Sequence, residues 1–496
     1  MNKKKNVLNI IFIIIKCIIF LITLGASSVL TYKLIEINII PTFYIAIIIA
    51  VLLLLNYIIG ATLFFGKKVL LIITGLLISI AIVAVSIIGV FHSDKITNIL
   101  DKAFDNIEYE TSTYSVVVLN NSKYKSIEDI QNKKVGYLTI DDKVDHTNIL
   151  LEKVEVNLVE FNDTNSMYEK LTKKKIDSML INNVFLEFLE DQDESIETKV
   201  KVIYTFEITE EIKKEKKEQK NDLSPVNILF TGSDARNTTK IYNKTRSDVN
   251  MIMTINPSNH EILLTSIPRD YYVQLHGKTG LKDKLTHSGI YGVNMTKQTI
   301  EDFMNIKIDY VVKVGFGTVI NVVDMIGGID IEADQDVYTR CSDGGAVRTQ
   351  IKKGWNHLTG AQALSYARER KGYKNGDNHR VQNQQQVIEA IFTKVISDKS
   401  LLNNYENVLN SLSSLYVTDI PASFIKNIVK NQISDMKSWK ISKQQLTGTG
   451  RTGVETYSMP GWKLWVMEPN QSSINKNSKN INDMINGKTL NELNLK

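Results

Sequence analysis

The stretch "ALSYARERKGYKNGDNHR", residues 363–380, gathers Arg368, Arg370, Lys371, Lys374 and Arg380 around Asp377 and His379. Four more charged clusters precede it, at the ends of apolar runs and in turns. They are "GSDAR" with Asp234 and Arg236, "TRSDV" with Arg246 and Asp248, "SIPRDYYV" with Arg269 and Asp270, and "LKDKLTHSGIYG" with Asp283, Lys284 and His287. A guanidinium group is a planar fork matched to phosphate oxygens, and several together neutralise a multiply charged group. Arg246, Arg269, Arg368, Arg370 and Arg380 packed together without an anion repel one another. Either they are dispersed over the surface, each paired with an acid, or they hold a polyanion. Asp234 and Asp248 are hard oxygen donors, able to complete a magnesium shell with phosphate and water. The sequence has no Cys/His spacing for zinc, no GxxxxGK[ST] loop for a nucleotide and no GxSxG turn of a serine hydrolase.

These residue types constrain the elements that carry them. Arg368 and Arg370 are two apart and face opposite ways on a continuous helix. For both to reach one ligand, the helix must end near Ala367 and continue as an extended segment, with Gly372, Asn375 and Gly376 forming a loop. Asp377 then sits near the start of a second helix, where it serves equally well as an N-terminal cap. "VNILFTG", "DVNMIMTINP", "HEILLTSI", "YVVKVGF" and "IDIEA" read as strands, as do the later "GVETYSM" and "WKLWVME". "KQTIEDFMN", "GTVINVVDMI", "TGAQALSYAR", "NHRVQNQQQVIEAIFTKVI", "NYENVLNSLSSL" and "PASFIKNIVKNQISDM" read as helices. Interleaved strands and helices predict one α/β domain over 225–470, a mixed sheet with helices on both faces. Ligand sites in such sheets lie beyond the strand ends, where the charged clusters fall.

Upstream, three apolar stretches within residues 1–93 are each long enough to cross a bilayer, which takes about 20 residues. Three in succession exclude a cleaved signal peptide. "MNKKK" and "GKK" (66–68) place the N-terminus and the second connection in the cytoplasm, so the remaining chain emerges outside. The formal charge of +5 is uneven: residues 1–93 carry +6 and the rest −1, which excludes a broadly basic nucleic-acid binder. Cys17 lies in the first apolar stretch and Cys341 is alone beyond it, so no disulfide forms within the external part. The Ile-, Lys- and Asn-heavy composition suits a low-GC, Gram-positive bacterium. Residues 94–112 read as a partly helical spacer. Residues 113–206 alternate strands and short helices as a small accessory α/β domain, with phrases such as "SIEDIQNKKVGYL" similar to one lobe of an extracellular solute-binding protein. Residues 207–224 are a charged linker and 471–496 a polar tail, frayed or helical.

The five clusters, in this order, resemble the LytR-CpsA-Psr family of cell-wall ligases. "GSDAR", "RSDVN", "SIPRD", "DKLTHSG", "GWNHLTGAQALSYARER" and "GDNHRVQNQQQ" follow that family's pattern over about residues 225–400, and "VVDMIGGIDIEA" is similar to its Asp-x-x-Gly-Gly segment. The resemblance implies an α/β/α catalytic domain. It also implies transfer of a teichoic acid or capsular polysaccharide from an undecaprenyl-pyrophosphate carrier to peptidoglycan, at the outer face of the cell membrane. It implies magnesium, or manganese in its place, held by Asp234 and Asp248, and a pocket for the polyprenyl chain. Arg246, Arg269, Arg368, Arg370, Arg380 and Gln384 would hold the pyrophosphate, joined by Lys284 and Arg236. Asp377 would activate the acceptor hydroxyl, with Arg269 beside the reacting phosphate. Two positions depart from the pattern: Asn383 stands where Arg is frequent, and Thr286 where Asn is frequent. Two other readings use the same residues, a polyprenyl-pyrophosphate phosphatase and a non-catalytic envelope regulator led by the accessory lobe.

Overall fold

A computed structural model describes residues 2–139, 146–193, 195–212, 223–233, 242, 244–339, 347–374, 376–397 and 416–495. The chain forms two compact units. Among the described residues, one holds 2–105, 223 and 421–438, and the other the rest.

In the first unit, helices α1 (Asn2–Ile37), α2 (Thr42–Gly60) and α3 (Val69–Ala103) are long and apolar enough to cross a membrane. The chain is therefore built to be anchored in one. Small and hydroxylated residues let the helices approach. Asn56 donates to Ser27 Oγ at 3.0 Å, and a Cβ at Gly89 would meet Leu30 Cδ1 at 2.6 Å. The first half of the expected spacer is helix, because α3 runs on to Ala103, and its end already belongs to a strand that starts at Tyr109.

In the second unit, residues 109–211 build a five-stranded sheet in the order β3-β2-β4-β1-β5. Its strands are β1 (Tyr109–Leu119), β2 (Lys134–Leu138), β3 (Asn157–Phe161), β4 (Ser178–Asn182) and β5 (Val200–Glu211). Helices α4 (His146–Leu151), α5 (Thr164–Thr172), α6 (Asn183–Gln192) and α7 (Ile196–Lys199) connect them. Residues 207–211, expected to open the charged linker, instead extend β5 along β1, since their alternating side chains suit a half-exposed edge. This sheet is not an isolated lobe. Phe185, Phe188 and Leu189 of α6 share an apolar cluster with Ile290, Met459 and Leu464, and the buried Glu110 pairs with Lys313 at 3.2 Å.

The larger sheet has six strands in the order β16-β11-β6-β7-β8-β17. Ranges along the chain are β6 (Val226–Ser233), β7 (Val249–Asn256), β8 (Glu261–Ile267), β11 (Tyr310–Gly315), β16 (Tyr416–Thr418) and β17 (Lys440–Gln445). Short strands outside this sheet pair among themselves: β9 (Tyr272–Val273) with β10 (Asp283–Lys284), β12 (Ile329–Ala333) with β15 (Gly354–Leu358), and β13 (Val337–Tyr338) with β14 (Gln350–Ile351). The pairs β6/β11 and β8/β17 are parallel and the others antiparallel, giving the mixed sheet expected. Side chains alternate across it. Leu229, Ile252 and Val311 face α8 (Val293–Met304) and a C-terminal helix, α13 (Gln471–Ile485), through Ile300, Ile481 and Met484. Phe230, Met253 and Val314 face α9 (Phe316–Met325), α10 (Gly360–Arg368) and α11 (Asp377–Ser397). The layering is thus α/β/α.

Two expectations change here. The C-terminal residues are not a tail, because Ile474, Ile481, Met484 and Leu490 complete the core. The strand expected at "GVETYSM" lies earlier, at Gly448–Val454, paired antiparallel with Leu464–Pro469. The helix expected at "NYENVLNSLSSL" lies outside the described residues. A last helix, α12 (Ala422–Asp435), belongs to the first unit.

Candidate functional site

Strands β6 and β7 are joined by the segment that carries "GSDAR" and "TRSDV". Asp234 and Arg236 lie outside the described residues. The "RSDVN" end is held tightly: Ser247 Oγ is 2.5 Å from Thr231 Oγ1 and donates to Asn250 Oδ1 at 2.6 Å, and Asp248 N–H donates to Gly232 O at 2.8 Å. Gly289 makes room for this turn, because a Cβ there would stand 2.4 Å from Thr245 O. The clamp delivers Asp248 to a buried position, 8% exposed.

Asp248 Oδ1 accepts from Arg269 Nη1 at 2.7 Å and from Thr286 Oγ1 at 3.0 Å. Its Oδ2 is buried and has no hydrogen-bond partner among the described residues. Burial alone would raise this carboxyl's pKa. Arg269 first, then Arg246 and Arg380, overcome that and hold it at about 2. Asp270, next along the chain, is also buried and accepts from Lys284 Nζ at 2.9 Å. Burial works against its charge too, yet Arg269, Lys284 and Arg380 keep it below the usual carboxylate range. Four of the singled-out cations, Arg246, Arg269, Lys284 and Arg380, therefore converge on two buried aspartates.

Helix α10 stops where the charge pattern requires. Arg368 is its last residue, and Glu369 is extended at φ −67°, ψ 128°. Arg368 enters the wall of an apolar cavity of about 220 Å³ between the large sheet and α9, α10 and α11. Gln384 of α11 lines the same cavity, and Arg368 is its one charged residue among the described ones. Gly232 and Val249, on either side of Asp248's backbone bond, line it as well. The apolar cavity thus abuts the cationic cluster. Arg370 is exposed and makes no side-chain contact with the cluster among the described residues. Asp377 opens α11, as the sequence reading placed it.

A comparison with known families decides the relationship. The LytR_cpsA_psr family model matches residues 196–480, more than half of the chain. The chain belongs to that family. A Bacillus anthracis polyisoprenyl-teichoic acid–peptidoglycan teichoic acid transferase TagU is 35% identical over 215 residues, 43% of this chain and 67% of that protein. The TagU of Enterococcus faecalis is 32% identical over 244 residues, 49% of this chain and 77% of that protein. The crystal structure of Bacillus subtilis TagV aligns with 54% of this chain and 100% of its own, at 29% identity and a TM-score of 0.45.

Within the LytR_cpsA_psr pattern the two departures have local explanations. Thr286 supplies with its hydroxyl a hydrogen bond to Asp248, so the short side chain still supports the carboxylate. Asn383 is fully buried and donates to Tyr366 O at 3.0 Å and Tyr373 Oη at 3.2 Å, so it braces the α10–α11 corner. His379 stacks on Tyr373 with centroids 3.6 Å apart and lies 3.4 Å from Asp334. Asp283 and His287 bond to each other at 2.6 Å, and Asp283 also accepts from Ser458 N at 2.8 Å and from its hydroxyl. Both histidines are thus structural.

Sequence reasoning missed two groups. One is the cavity wall, whose Phe230, Val314, Val322, Leu364, Val387 and Ile391 come from five separate elements. The other is the α6 pair Glu187 and Phe188. Glu187 lies 3.8 Å from Arg246 Nη2, and the Phe188 ring sits 5.8 Å from the Arg246 guanidinium and 4.6 Å from the His287 ring. Nothing local in "NVFLEFLED" signals such a contact.

Proposed function

We propose that this protein transfers a glycopolymer, teichoic acid or capsular polysaccharide, from an undecaprenyl-pyrophosphate carrier to peptidoglycan. The observation that carries the reading is the apolar cavity abutting a cationic cluster. A polyprenyl pyrophosphate has the matching form: a hydrocarbon chain that gains from leaving water, joined to a multiply charged head that needs fixed cations. The names of the related transferases support the same class.

In this reading an acceptor sugar hydroxyl attacks the glycan-bearing phosphorus. The bridging P–O bond breaks, polyprenyl phosphate leaves, and a phosphodiester joins glycan to peptidoglycan. Charge grows on the leaving phosphate, and fixed arginines in a water-poor site stabilise it more than water would. Arg246, Arg269 and Arg380 take that role, with Arg368 and Gln384 at the junction of head and chain and Lys284 and Arg236 in support. Asp377 is the proposed acceptor of the hydroxyl proton.

A magnesium ion, or manganese in its place, fits one donor of the site. The unpartnered, ionised Oδ2 of Asp248 is a hard anionic oxygen, and Asp234 would complete the protein ligands. When bound, the ion would offset phosphate charge.

The proposed setting is the cell membrane, crossed three times, with residues after about 93 outside. Basic residues at 3–5 and 67–68 support this orientation, and a membrane anchor suits a lipid donor. Full-length protein in nanodiscs, given a synthetic polyprenyl-pyrophosphate glycan, peptidoglycan fragments and magnesium, tests the reading. A phosphodiester-linked product supports transfer. Released free glycan phosphate replaces transfer with hydrolysis, and no turnover with no binding removes both.

A further inference from the structure

Helix α12 lies in the chain between β16 and β17 of the large sheet, yet it groups with the unit of the three apolar helices, where it meets α3 and the α1–α2 link. Its bonds there are specific. Lys430 Nζ donates to Asn38 Oδ1 at 2.8 Å, Asn38 Nδ2 donates to Asn427 Oδ1 at 3.4 Å, and Lys426 lies 3.8 Å from Asp101. Asn38 follows the last residue of α1 and belongs to the four-residue link to α2. Exposed aromatic residues flank that link: Tyr32 before it, Phe43 and Tyr44 after it. Lys33 beside it pairs with Glu36 and with Asp94, each at 2.8 Å. Amphipathic aromatic residues and paired charges at the end of an apolar helix mark the headgroup layer. A helix bonded to Asn38 is held at that level.

The surface of α12 fits this depth. Val429, Ile433 and Met436 are 38%, 37% and 61% exposed; Val429 and Ile433 share one helix face at i, i+4, and Met436 follows as the left-handed residue that ends the helix. At about 100° per residue, Val429 and Ile433 lie about 110° round the helix from the face of Asn427 and Lys430 that bonds to the link, so they turn aside from it. Polar Ser434 and Asp435 lie off the stripe, Ser434 on the bonding face, and Lys426 and Lys430 give the helix cations suited to anionic headgroups.

We propose that α12 is an interfacial helix, lying in the plane of the headgroups with Val429, Ile433 and Met436 inserted toward the acyl chains. The inference rests on the reading that the α1–α2 link lies at a membrane face. Three residues separate β16 from α12 and four separate α12 from β17, so the chain enters and leaves α12 through two short links besides the one that follows α3.

The test uses the full chain in phosphatidylethanolamine/phosphatidylglycerol nanodiscs, on a Cys17→Ser, Cys341→Ser background. Nitroxides are placed singly by Val429→Cys, Ile433→Cys, Met436→Cys, Ser434→Cys and, within α3, Ile80→Cys. Relaxation by oxygen, which partitions into lipid, is compared with relaxation by a water-soluble nickel chelate. The expected result is oxygen preference at 80, 429, 433 and 436, with nickel preference at 434. If 429, 433 and 436 follow 434 while 80 prefers oxygen, the interfacial helix is wrong and the anchor stands. Nickel preference at 80 would remove the anchor reading beneath it. Shielding of the stripe from both probes would show protein rather than lipid over it, and overturn the proposal.

Discussion

Two buried aspartates separated by one loop of contacts have opposite fates. Asp283, fully buried, spends both oxygens inside the protein, on His287, Ser458 and the backbone of Lys284. Asp248 uses one oxygen on Arg269 and Thr286 and leaves the other buried without a partner among the described residues. A desolvated carboxylate oxygen with nothing to accept from is costly. It persists here because Arg269, Arg246 and Arg380 supply the compensating field. A saturated buried charge holds a fold together, and the unsaturated Asp248 oxygen is the one the proposed magnesium would use.

Removing each aspartate's support in turn separates the two roles. Asp283→Ala strands His287 and Ser458 in the interior and should cost about 3–5 kcal/mol of stability, read as a lower denaturation midpoint, while the folded fraction keeps its specific activity. Arg269→Ala should act the other way. Transfer is expected to fall about 10²–10³-fold, the usual loss of one charge-stabilising donor, in the nanodisc assay. An Asp283 variant that folds normally, or an Arg269 variant that transfers normally, would invert the two roles.

Ligand linkage separates the pair next. Magnesium at about 100 times its dissociation constant should stabilise the wild type by about 2.7 kcal/mol. Asp248→Asn should lose that increment in a thermal melt, because it neutralises the unpartnered oxygen. The same variant bears on pH. The Asp248 carboxyl titrates at about 2 in the folded protein, below the ordinary value of about 4. Its ionised form therefore stabilises fully above about pH 4, and this contribution disappears as pH falls toward 2. A melt series from pH 5 to pH 2 should be shallower for Asp248→Asn than for wild type.

Smaller effects refine the surroundings. Thr286→Val removes one hydroxyl donor to Asp248 and should lower activity about fivefold, equivalent to about 1 kcal/mol. Thr286→Asn should retain more. Glu187→Gln is expected to change activity least, by less than about 1 kcal/mol, because its contact with Arg246 is long and half-exposed. A larger loss would show that the α6 side of the fold orients Arg246.

Much of the site was legible because its signals are local. Charged residues at strand ends, a helix that must stop at Arg368, and Gly-rich turns all follow from short-range stereochemistry and charge. The α/β/α layering was legible for the same reason, through alternation along strands and apolar spacing along helices. Some features were not. The tail reads as polar because its apolar residues, Ile474, Ile481 and Met484, are spaced singly, and only the opposing sheet face shows that they form one stripe. The start of the charged "linker" reads as solvated because its pairing partner, Tyr109–Thr113, is about 100 residues away.

Apolar length, periodicity and residue type are properties of short stretches, and they sufficed for the anchor, the class of fold and a set of candidate cations. The tertiary structure alone decided which cations meet. Arg246, Arg269, Lys284 and Arg380 converge on Asp248 and Asp270 while Arg370 stays at the surface, because convergence depends on how strand ends and α11 pack. It also decided that Asp248 rather than Asp283 keeps an open oxygen, and that five elements enclose an apolar cavity beside it. Those are outcomes of long-range packing, which no window of sequence contains.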